Sequence, residues 1–122
     1  MPRLTKHFLC VEDDLDNREV LATLLRLRGY EVTTARTMAE ATNLAKQQHF
    51  DLYLLDRKLP DGDGLDLCKE IRATDAEIPI IICSAYAYED DIKRGLEAGA
   101  QAYFTKPVEL IELETAIKTL TQ

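Results

Sequence analysis

Five short apolar runs of strand length recur along the chain, separated by stretches of helical period, and this alternation constrains the fold more than any other feature. The runs are His7 to Val11, Glu31 to Ala35, Leu52 to Leu55, Ile80 to Cys83 and Ala102 to Thr105. The helical stretches are marked by Val20, Leu21, Leu24, Leu25 and Leu27; by Ala41, Leu44 and Ala45; by Leu65, Cys68 and Ile71; by Ile92 and Leu96; and by Leu110, Leu113, Ile117 and Leu120. A strand followed by a helix, five times over, predicts a parallel sheet with right-handed crossovers and helices on both faces. The punctuation agrees. Gly29 and Gly99 stand where the first and fourth helices should end, Thr37 and Glu40 have the spacing of a capping box, Pro60-Asp61-Gly62 reads as a turn and Pro79 opens the fourth strand.

Strands buried on both faces lack polar alternation, as Leu52-Tyr53-Leu54-Leu55 and Ile80-Ile81-Ile82-Cys83 do, whereas Glu31-Val32-Thr33-Thr34-Ala35 alternates like an edge. In such sheets chemistry collects beyond the C-terminal strand ends. Those ends carry Glu12-Asp13-Asp14, Asp56, Ser84 and Lys106-Pro107. One such residue alone would be ordinary wet loop chemistry; their joint placement at one rim is not. Carboxylates of Glu12, Asp13 and Asp56 within a few ångströms of each other would repel by roughly 1 kcal/mol per pair in water and about 4 at an effective dielectric of 20. A proton, a cation or a lysine must offset that repulsion. Hard oxygen donors favour Mg²⁺, with Mn²⁺ or Ca²⁺ as substitutes. A carboxylate beside such an ion is a nucleophile toward phosphorus, and Lys106 and Ser84 supply further partners for phosphoryl oxygens.

Composition narrows the function classes. The 122 residues suffice for one domain with its own core, and 46% hydrophobic with 30% charged residues is a soluble, globular balance. No apolar run reaches membrane-spanning length, and the apolar stretch after Met1-Pro2-Arg3-Leu4-Thr5-Lys6-His7 stops at Glu12, too short for an export signal, so a cytoplasmic protein is expected. Cys10, Cys68 and Cys83 read as small buried hydrophobes in a reducing compartment; His7 and His49 read as structural, leaving no zinc set. A net charge of −7 argues against direct binding to nucleic acid.

The chain resembles the receiver domain family of bacterial two-component response regulators over nearly its whole length. The likeness rests on Val11-Glu12-Asp13-Asp14, on Asp51 to Asp56 running into Leu59-Pro60-Asp61-Gly62-Asp63-Gly64, on Pro79 to Ala85, on Gly95 to Ala100, and on Tyr103-Phe104-Thr105-Lys106-Pro107. It implies a flavodoxin-like, doubly wound sheet of strand order 2-1-3-4-5 with five helices around it, residues 1-122 forming a single receiver domain with no output domain in this chain. It also implies Asp56 as phosphoacceptor, Mg²⁺ held by Glu12, Asp13, Asp56 and the Lys58 carbonyl, Lys106 and Ser84 on the phosphoryl group, Ser84 and Tyr103 as switch residues, and a cis Lys106-Pro107 bond that aims Lys106 into the site. The implied partners are a histidine kinase or histidine phosphotransfer protein as donor and a downstream protein or output domain. A homodimer could form through the fourth helix, fifth strand and fifth helix. Phosphorylation is expected to draw Ser84 toward the phosphoryl group and let Tyr103 turn inward.

Arg57 and Lys58 depart from the apolar residues frequent after the acceptor, and Tyr86 stands two after Ser84. Lys58 and Tyr86 are expected to shield the acyl phosphate from water, and the small Ala85 to leave the donor's approach open. Two other readings stand beside this one: a pseudo-receiver that binds protein without accepting phosphate, and an aspartyl-phosphate phosphatase. The latter wants a second Asp where Lys58 stands.

Overall fold

The computed structural model describes residues 5–122, so the first four residues of the Met1–His7 segment, read as no export signal, lie outside the described residues. Five parallel strands form one sheet: β1 (His7–Val11), β2 (Glu31–Ala35), β3 (Leu52–Leu55), β4 (Ile80–Ser84) and β5 (Ala102–Thr105), in spatial order β2-β1-β3-β4-β5. The helices α1 (Leu15–Leu27), α2 (Met38–Gln47), α3 (Gly64–Thr74), α4 (Glu89–Glu97) and α5 (Leu110–Leu120) follow the strands in turn. The doubly wound parallel fold and its strand order are therefore as anticipated. A two-residue antiparallel ladder, Lys58–Leu59 against Gly62–Asp63, closes the Pro60-Asp61 turn and was not legible from the sequence.

Alternation along the central strands sorts the core into two layers. Phe8, Cys10, Leu52, Leu54, Ile81 and Cys83 point to one face, where Ala22 and Leu25 of α1 and Leu113 and Ile117 of α5 cover them. Leu9, Val11, Tyr53, Leu55, Ile80 and Ile82 point to the other, against Ala41, Leu65, Cys68, Ile71 and Ala98. The edge strand β2 keeps an exposed Glu31 and half-buried Thr33 and Thr34, but the strict alternation expected of it is not seen, since Val32 is buried in one layer of the core and Ala35 in the other.

Carboxylates and a hydroxyl set the helix starts. Asp14 accepts from the Asn17 amide, Thr37 from Glu40 and Asp63 from Leu65. The returning half of the Thr37 box goes to the Arg36 amide at 3.3 Å. Gly29 and Gly99 end α1 and α4 at φ +93° and +117°. Two helical stripes need correction: Val20 and Leu27 on α1, and Leu96 on α4, face solvent. On α4 the buried positions are Gly95 and the following Ala98, because the helix lies so close that a Cβ on Gly95 would stand 2.6 Å from the Tyr103 ring.

Candidate functional site

The sheet register brings the acidic residues together. The Glu12 amide extends the ladder to the Ala35 carbonyl at 3.0 Å, and the Asp56 amide donates to the Val11 carbonyl at 3.0 Å, so both acids leave adjacent strand ends at the same level. One ligand oxygen from each of Glu12, Asp13 and Asp56 lies within 4.8 Å of the others. Glu12 and Asp56 are buried and Asp13 faces solvent. Lys106, just past β5, donates from Nζ to Asp56 Oδ2 at 3.0 Å and to Glu12 Oε1, and its amide donates to the Ser84 carbonyl at 2.8 Å. The Lys106-Pro107 bond is cis.

The electrostatics follow from this packing. Burial pushes the Glu12 carboxyl above its ordinary range and Asp56 reinforces the shift, while the Lys106 hydrogen bond opposes it. Burial works against the Lys106 ammonium, but Glu12 and Asp56 outweigh it and hold the group above the ordinary lysine value. One ammonium cannot balance three carboxylates. The site therefore remains short of positive charge, and its all-oxygen donor set fits a small divalent cation. Cys10 and Cys83, pushed up to about 12 by burial, are inert neighbours beneath it. Cys68 is likewise buried, and all three cysteines are free. His7 bonds the Thr33 hydroxyl, and His49 lies 3.3 Å from Asp51 Oδ1.

The remaining anticipated residues take distinct places. Ser84 is 1% exposed at the end of β4, and its Oγ accepts from the Tyr86 amide at 3.1 Å. The Lys58 side chain is exposed in the short ladder. Tyr103 is half-buried against the core, with its hydroxyl donating to the Tyr86 carbonyl at 2.7 Å. The Tyr103 ring packs beside Gly95, where an added Cβ would stand 2.6 Å from it.

Sequence reasoning missed three supports. Arg18, buried on α1, donates to the Glu12 and Asp13 carbonyls at 3.1 and 3.4 Å and braces the acidic turn. Asp61 accepts from the Met38 and Ala39 amides at 2.9 and 3.0 Å, pinning the loop after β3 to the start of α2. Gly64 approaches so closely that a Cβ there would stand 2.0 Å from the Asp56 carbonyl oxygen. The only available signal was spacing from a candidate acid. Beside the carboxylates a cleft of about 550 Å³ runs between α1 and α5, walled by Val20, Leu21, Leu24, Val108 and Leu110 and reaching Glu12 and Asp56.

Three carboxylates, a lysine and a buried serine thus meet at the C-terminal rim of a 2-1-3-4-5 sheet, the place where doubly wound folds bind their ligands. The family model described as response regulator receiver domain matches residues 8–118, and the chain belongs to that family. It is 41% identical over 112 residues to the transcriptional regulatory protein PrrA of Mycobacterium tuberculosis, covering 92% of this chain and 48% of the relative. The chain thus spans about half the length of the curated relatives it matches. Among solved structures, a two-component response regulator from Clostridium difficile superposes with a TM-score of 0.91 at 29% identity, covering 95% of each chain. The response regulator protein TrrA from Thermotoga maritima, solved in complex with Mg²⁺-BeF, superposes at 0.86 with 33% identity, covering 95% of this chain and 99% of that one. Among the described residues no helix is long and apolar enough to cross a membrane.

Proposed function

We propose that this receiver accepts a phosphoryl group on Asp56 from a phosphohistidine of a sensor kinase or phosphotransfer protein, as one step of a cytoplasmic two-component relay. The observation that carries the reading is the convergence of Glu12, Asp13 and Asp56 within 4.8 Å beneath the Lys106 ammonium. Glu12, Asp13, Asp56 and the Lys58 carbonyl would hold Mg²⁺, which when bound supplies positive charge to the phosphoryl oxygens. A carboxylate oxygen of Asp56 forms the new O–P bond as the donor's N–P bond breaks, and the leaving imidazole keeps the electron pair. Lys106, already 3.0 Å from Asp56, follows the charge onto a phosphoryl oxygen. The Ser84 hydroxyl, whose oxygen accepts from Tyr86, retains its own hydrogen for a second oxygen. The apolar cleft between α1 and α5 opens at the acceptor and suits a docking donor. The face of α4, β5 and α5, where Tyr103 sits, is the surface for the output partner or a second copy.

Incubating the chain with Mg²⁺ and acetyl phosphate tests this. A phosphoryl adduct is expected on Asp56, absent in Asp56→Asn and absent with chelator; an adduct of equal yield in Asp56→Asn, or none in wild type, would defeat the assignment.

A further inference from the structure

Arg57 follows the acceptor directly, and its side chain is only 4% exposed. One guanidinium reaches three separate segments. Nε and Nη2 donate to Asp63 at 3.3 and 2.9 Å, Nη1 donates to Asp91 at 3.3 Å, and the group lies 5.0 Å from the centre of the Tyr86 ring. Each partner is itself engaged. Asp63 caps α3 through the Leu65 amide, and Asp91, in the first turn of α4, accepts from the Tyr88 amide at 3.2 Å. The Tyr86 backbone gives its amide to Ser84 Oγ and its carbonyl to the Tyr103 hydroxyl. Asp63 holds the guanidinium firmly charged against the penalty of burial.

Stability gives no reason for a charge at this place. The guanidinium is buried while its partners Asp63 and Asp91 are 41% and 21% exposed, and pairs of this kind gain little over an apolar side chain of similar volume. What a planar, forked cation does and an apolar side chain does not is fix several partners in one arrangement. The arrangement fixed is that of the Ser84–Asp91 loop, in which Ser84 Oγ is occupied as an acceptor and so presents its hydrogen elsewhere.

We propose that Arg57 is a positioning residue: by clamping Tyr86 and Asp91 it holds the loop behind Ser84 in the form that receives a phosphoryl group, so that the ordering of this loop is complete before transfer. The proposal rests on Asp56 being the acceptor. Preordering raises affinity for the bound group without a new contact to it. Removing the clamp should therefore weaken binding of a phosphoryl mimic while leaving the acidic trio's affinity for the bare cation alone.

The test is calorimetric titration of the full chain with beryllofluoride at saturating Mg²⁺, in wild type, Arg57→Met, Asp91→Asn and the double variant, with Mg²⁺ alone titrated in parallel. Asp91→Asn keeps the Arg57–Asp63 pair, so it guards against a merely unfolded Arg57→Met. Each single variant is expected to bind beryllofluoride about tenfold more weakly, a difference of about 1.4 kcal/mol. The double variant should be no worse than Arg57→Met, and Mg²⁺ affinity should be unchanged. Single variants that match wild type, or losses that simply add, overturn the clamp while leaving the acceptor intact. A wild type that takes up no beryllofluoride overturns the acceptor reading and the clamp with it.

Discussion

At the scale of single residues the site is a contest between one ammonium and a metal for the same oxygens. Lys106 occupies Asp56 Oδ2 and Glu12 Oε1, both from carboxylates that a divalent ion would use. Replacing it by methionine frees those oxygens and removes a cation from the ion's neighbourhood. Lys106→Met is therefore expected to bind Mg²⁺ about three- to tenfold more tightly, an effect on the order of 1 kcal/mol, while phosphoryl uptake from acetyl phosphate falls sharply. Calorimetric titration reads the first and labelling the second; weaker Mg²⁺ binding would mean that the lysine orients the carboxylates more than it competes for them. Glu12, Asp56, Ser84 and Lys106 were legible because each ends a strand recognised from its apolar run. Arg57 and Arg18 were not, since a charged side chain gives no periodic signal and their partners Asp63, Asp91 and two backbone carbonyls become neighbours only in the fold.

The strands were legible as short runs rich in β-branched, aromatic and other apolar residues, set off by helical stretches. The bounds of β1, β2, β3 and β5 match the expected runs to the residue, and β4 extends one residue further to take in the buried Ser84. The helices were recognisable as helices, but Val20, Leu27 and Leu96 were grouped with the apolar stripe although they face out, since spacing reveals a period and not which neighbour lies nearby. The turn from α3 to β4 gives a prediction at this scale. The Asp75 carboxylate accepts from the Glu77 and Ile78 amides at 2.9 and 3.0 Å, and these bonds hold its ionisation below the ordinary value of 3.8. A lowered folded value means that the carboxylate stabilises the fold above about pH 4 and loses that contribution as pH falls through the folded value. Stability to urea of the wild type should fall below about pH 4 more steeply than that of Asp75→Asn. Parallel acid limbs in the two proteins would remove Asp75 from the list of acid-sensitive groups.

For the whole molecule, the sheet makes a site out of residues that the chain keeps far apart. Glu12 and Asp13 follow β1 whereas Asp56 follows β3, with α1, β2 and α2 between them, and no unfolded segment holds the three carboxylates within reach of one ion. A cation that needs them all binds the folded chain and not the unfolded one, so its binding free energy adds to folding stability. At a free concentration one hundred times its dissociation constant the added stability is about 2.7 kcal/mol, which for a chain of 122 residues corresponds to a melting rise on the order of 10 °C. Thermal unfolding with increasing Mg²⁺ should show this rise as a saturating curve. Asp13 is the variant of choice for the control, because it is exposed and among the described residues caps no helix, whereas Glu12 and Asp56 are packed in the core's rim. Asp13→Asn should melt near the wild-type temperature in chelator yet lose most of the Mg²⁺-dependent rise. An equal rise in both proteins would place the ion elsewhere on a surface carrying a net charge of −7, and the rim would then rest on the Lys106 pairs with Glu12 and Asp56 and on the Arg18 brace beneath Glu12 and Asp13.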